Sequence, residues 1–80
     1  MNNAETEALK QHLMTHDAQF AALAQEHHQY EERLSQLASL HYPSAEEQME
    51  ESTLKKKKLF LKDQMEMIMR RYAEGQAAGH

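Results

Sequence analysis

A chain of 80 residues with a formal charge of −4 makes at most one small domain, and a domain of that size leaves little room for a deep catalytic cleft. Its 13 acidic residues against 9 lysines and arginines disfavour nucleic acid as the main partner, because such binding selects a broadly basic surface. The absence of cysteine removes disulfides, thiolate nucleophiles and cysteine-ligated zinc together.

No apolar run approaches the roughly 20 residues that span a bilayer, and the opening MNNAETEALK lacks the charged and apolar regions of a signal peptide. A cytoplasmic protein with no membrane partner is the expectation. Glycine occurs 2 times and proline once, while Ala, Leu, Met, Gln, Glu and Lys dominate. Long helices use this composition.

From Leu9 a 4,3 spacing runs through Leu13, His16, Phe20, Leu23, His27, Tyr30, Leu34, Leu37 and His41. This is a heptad pattern with Leu13, Phe20, His27, Leu34 and His41 at a and the others at d. Asp17 could cap a helix that starts afresh before Phe20. Pro43 cannot continue a helical ladder and biases Tyr42 away from helical angles. Directly after it, Ser44-Ala45-Glu46-Glu47 has the spacing of a capping box. The second pattern then runs Glu47, Glu51, Leu54, Lys58, Leu61, Met65, Ile68 and Tyr72, and fades at Gly75. Acidic residues in its first turns, with Arg70 and Arg71 in its last, complement the helix dipole.

So short a connection makes the two helices antiparallel neighbours. The expected fold is all-α: an antiparallel two-helix hairpin, coiled-coil-like, assembling into a helical-bundle oligomer. A single domain over residues 1–80 would place helix one at about 4–41, with a break near 15–17 left open. The turn would fill 42–44, helix two 45–73 and a flexible tail 74–80. Folding back about Pro43 should bring Leu34 to Glu51, Tyr30 to Leu54, His27 to Lys58, Leu23 to Leu61, Phe20 to Met65, His16 to Ile68 and Leu13 to Tyr72. The flanking positions then put Arg33 by Glu50, Glu26 by Lys57 and Glu31 by Lys55, all opposite charges.

The run LKKKKLFLKD, residues 54–63, packs four lysines together. Successive helical residues turn by about 100°, so these lysines cannot share one face. Lys55 and Lys57 flank the seam, Lys56 points to solvent and Lys58 points into the seam opposite His27. His27 and Lys58 are read as seam residues that specify register or oligomer state. The alternative use of the run, nucleic-acid binding through Lys55, Lys56, Lys57, Lys62, Arg70 and Arg71, would need a common basic surface. His12 and His16 have i,i+4 spacing that can chelate a metal. The metalloprotease motif also requires glutamate directly after the first histidine, where this chain has Leu13. No metal or other cofactor is expected, and no nucleophile-base set points to an enzyme. Phe60 and Met67 lie seven apart off the seam, with Leu59 and Met69 beside them. Such an apolar surplus marks an association surface, so a homo-oligomer, dimer or tetramer, is expected.

The stretch LKKKKLFLKDQMEMIMRR resembles the second-helix signature of the YdcH-type family of small bacterial proteins of unknown function, approximately L-K-K-x-K-L-x-L-K-D-E-I. FAALAQEHHQYEERL is similar to its first helix, approximately F-x-x-L-x-x-x-H-x-x-L-D-x-x-I. Leu54, Lys55, Lys56, Lys58, Leu59, Leu61, Lys62 and Asp63 carry the match, with Phe20, Leu23 and His27. The sequence departs from the pattern at Tyr30, Glu31, Leu34, Gln64 and Met65. The resemblance implies a helical hairpin that associates further, and it brings no assigned activity, cofactor or catalytic residue.

Overall fold

A computed structural model describes residues 3–78. All its regular elements are helices: α1 (Asn3–His16), α2 (Ala18–Ala38) and α3 (Ala45–Ala78). The all-α class holds, but the two-helix hairpin is corrected to three helices.

Asp17 makes the division. Its backbone is extended, with φ −123° and ψ 106°, yet it serves both neighbours. Its N–H donates to the Leu13 carbonyl at 2.8 Å, closing α1, and its carbonyl accepts from the Ala21 N–H at 2.9 Å, opening α2. Its Oδ1 accepts the Phe20 N–H at 2.9 Å. Aspartate is a poor residue in a helix interior and a strong one at an N-cap, which favours the break over a continuous helix.

α2 stops at Ala38, short of the expected His41. The Ser39 N–H is shared between the Ser35 and Gln36 carbonyls at 3.2 Å, and its Oγ donates to Gln36 O at 2.7 Å. The chain then has 39–44 in which to reverse before α3, and the restriction on Tyr42 ahead of Pro43 keeps that stretch out of the helix. His41, given an a position in the heptad, is exposed in this connection.

α3 opens on a reciprocal capping box. The Glu47 N–H donates to Ser44 Oγ at 3.1 Å, and the Ser44 N–H donates to Glu47 Oε1 at 2.8 Å. At its other end α3 passes through Gly75 to Ala78, so the expected boundary at 73 falls inside the helix. One exposed glycine costs a helix only about 1 kcal/mol relative to alanine, so Gly75 alone does not end it. His80 lies outside the described residues.

The molecule measures 55 × 21 × 19 Å, close to the length of α3 alone at 1.5 Å per residue. Its buried apolar residues are Leu13 from α1, Phe20 and Leu37 from α2, and Leu61 from α3. On α3 the half-buried set includes Glu47, Glu51, Leu54, Lys58, Met65, Ile68 and Tyr72, the stripe picked out by the 4,3 spacing.

Two cross-helix bonds fix the register. Arg33 grips Glu50 with both Nε and Nη2 at 2.8 Å, and at the far end Tyr72 Oη lies 2.8 Å from His12 Nε2. The other two expected charge pairs do not form. Glu26 accepts from the Tyr30 hydroxyl at 2.8 Å, Glu31 meets His27 Nδ1 at 2.9 Å, and Lys55 turns to Glu51 at 3.4 Å. All these partners lie one helical turn away on the same helix, where less side-chain entropy is lost than across the seam.

Candidate functional site

Antiparallel packing of α2 on α3 leaves an open groove on each side of the seam. One is floored by Leu23, Tyr30, Leu61 and Phe60 and rimmed by Glu26, Lys56 and Lys57. Its polar anchor is the Tyr30–Glu26 hydrogen bond, which holds the Tyr30 phenol above its ordinary pKa by favouring the protonated hydroxyl. The other groove brings His27 and Lys58 together with Lys62, Met65 and Met69, and Lys10 reaches it from α1. His27 and Lys58 are both half-buried. Lys58 thus lies along apolar neighbours with its stem, as an a-position lysine does.

The lysine run is split as helical geometry requires. Lys55, Lys56, Lys57 and Lys62 are all exposed; Lys55 and Lys62, seven apart, share one side of α3, and Lys56 and Lys57 are turned away from it by about 100° and 200°. Among the described residues Lys56, Lys57, Lys58 and Lys62 have no ion-pair partner. Arg70 and Arg71 are exposed two turns further on, Arg71 beside Tyr72, Ile68 and Asp17. At about 100° per residue, Lys62, Lys55, Arg70 and Lys56 fall within roughly 120° of one another around α3, with Arg71 and Lys57 further round.

His12 and His16 stack at a ring-centroid distance of 4.4 Å, tilted by 43°. His12 Nε2 is engaged by Tyr72, and that ring also packs on Tyr72 at 5.1 Å. The His12–Tyr72 contact joins α1 to α3. Among the described residues no group of three or more histidines, aspartates and glutamates could hold a metal ion.

Most of the exposed large apolar side chains among the described residues lie on α3, on its outer face. Phe60 is 62% exposed and Leu59 59%; Met67 is also exposed, while Met69 is half-buried in the groove beside Lys62. Met49, 72% exposed, extends this face and escaped the sequence reading. It stands 11 residues before Phe60, about three full turns, so the same periodicity applied off the seam would have found it. Leu40 and Tyr42 in the connection are exposed as well.

A model of the family described as a protein of unknown function, DUF465, matches residues 20–69. The chain belongs to that family. The matched region holds the α2–α3 pairing from Phe20 onward, the lysine run and the apolar outer face, in agreement with the YdcH-type resemblance. It excludes α1 and Tyr72, so the His12–Tyr72 bridge lies outside the matched region. No match is found among curated proteins or among solved structures. Among the described residues of this DUF465 protein, no helix is long and apolar enough to cross a membrane.

Proposed function

We propose that this DUF465 protein is a non-enzymatic, cytoplasmic structural or interaction module whose helical hairpin, α2 on α3, associates with further copies as a dimer or tetramer. The observation that carries the reading is the outer face of α3, where Phe60, Leu59, Met67 and Met49 lie exposed on one rigid helix. A pair of helices buries only a narrow stripe, and exposed apolar surface of this extent is typical of association sites. The concavities are open grooves along the seam, suited to side chains of a neighbour more than to a sequestered substrate. His27 and Lys58, half-buried polar residues in that seam, fit a role in setting register or oligomer state.

The test is the double variant Phe60→Asp with Met67→Asp, compared with the parent by light scattering and thermal melting. A fall in mass supports the reading, and unchanged mass and melting temperature refute it. A second reading, nucleic-acid association, is favoured by the lysines that lack ion-pair partners. Titration against duplex DNA at low salt decides it: a steep loss of affinity with added salt supports it, and no measurable binding removes it.

A further inference from the structure

Given that the outer face of α3 serves association, on which this inference rests, its charge order identifies the surface that covers it. That face carries Met49, Lys56, Phe60, Asp63, Met67 and Arg70, every one exposed. Lys56, Asp63 and Arg70 make no ion pair within the chain among the described residues. Three charges of alternating sign interleaved with apolar side chains suit a partner carrying the complementary order.

We propose that the partner is a second copy of this chain, with the two α3 helices packed antiparallel about a two-fold axis that passes beside Phe60. In a two-fold contact a residue a given distance before the axis meets one the same distance after it. With the axis just N-terminal to Phe60, residues whose numbers sum to 119 or 120 come level to within about one helical rise, roughly 1.5 Å, and 56 and 63 sum to 119. Each Lys56 thus faces the partner's Asp63, and the pair occurs twice. Phe60 meets its own symmetry mate at the centre. Met49 lies beneath the aliphatic stem of the partner's Arg70, a packing that leaves the guanidinium in water. Met67 falls opposite the small Thr53, which leaves room for it.

Two other registers lack this complementarity. Centring the axis on Asp63 sets that carboxylate against its own copy and Lys56 against Arg70. Centring it on Lys56 opposes two lysines and sets Phe60 beside Ser52 and Thr53. Like charges placed face to face oppose association, so the charge order favours the axis at Phe60 over both of these.

Charge reversal tests the arrangement. Lys56→Glu alone and Asp63→Lys alone should each weaken self-association about tenfold or more in sedimentation equilibrium. The double variant Lys56→Glu with Asp63→Lys should recover to within about threefold of the parent, because the pair is restored with reversed sign. All these positions are exposed, and circular dichroism should show that each variant keeps its helices. Since the chain has no cysteine, Phe60→Cys should give a disulfide-linked dimer under mild oxidation. Met67→Cys should not link to itself but should link to Thr53→Cys. A parent that associates while ignoring both reversals, or that cross-links through Met67→Cys alone, has a different register; this overturns the two-fold arrangement and leaves the association reading standing. A parent monomeric at every concentration overturns both.

Discussion

Phe20 is 1% exposed and stands in the first turn of α2, directly after the cap that separates it from α1. Its own N–H is the one bound by Asp17, so the ring and the cap hold the same turn. Replacing a fully packed phenylalanine by alanine costs about 3 to 5 kcal/mol. A chain of this length is stabilised by roughly 4 to 12 kcal/mol in all. At a urea dependence of about 1 kcal/mol per molar for a small protein, Phe20→Ala should lower the unfolding midpoint by about 3 to 5 M. Phe20→Leu, which keeps most of the apolar volume, should cost about 1 to 1.5 kcal/mol. Tyr42, 96% exposed, is the control, and Tyr42→Ala should stay within about 0.5 kcal/mol of the parent. Urea titration followed by circular dichroism, with all variants at one protein concentration, measures the series. Equal midpoints for Phe20→Ala and Tyr42→Ala would refute the placement of the core.

Asp17→Ala removes the carboxylate that receives the Phe20 N–H and should destabilise the fold by about 1 kcal/mol in the same titration, with Asp17→Asn and Asp17→Ser retaining most of the parent's stability. Acid should loosen the start of α3. Hydrogen bonds from Ser44 hold the Glu47 carboxyl below its ordinary value of 4.5, and the Arg33 guanidinium does the same for Glu50. Their contribution is complete above the unfolded value and disappears as pH falls through the lower folded values, so melting temperature should decline from about pH 4.5 downward, and less so in Glu47→Gln. Arg33→Glu or Glu50→Arg alone should lower the melting temperature, and the exchange of both should restore it, which reads out the register of α2 on α3.

The stripe on α3 was legible because burial imposes it. Each of its residues stands at the spacing that keeps one side of a helix against its neighbour, and a shift by one residue would have turned Leu54, Leu61 and Ile68 to water. The capping box at Ser44 was legible for a similar reason, since a proline, a short polar side chain and a glutamate three residues on meet the needs of a helix start. Asp17 was ambiguous. A cap and an interior position differ there by about 1 kcal/mol, and the heptad runs across the break without losing phase. The expected partners of Glu26, Glu31 and Lys55 were misplaced because exposed ion pairs differ from one another by less than about 1 kcal/mol, and each side chain found an acceptor or donor one turn away. Met49 went unnoticed because it belongs to a stripe with no partner inside the chain.

Whether another copy covers the outer face of α3 in solution is tested most directly by mass from light scattering over a dilution series, with helicity by circular dichroism on the same samples. A dimer or tetramer whose helicity falls only as it dissociates is the predicted result. A folded monomer of unchanged helicity at every concentration would contradict it.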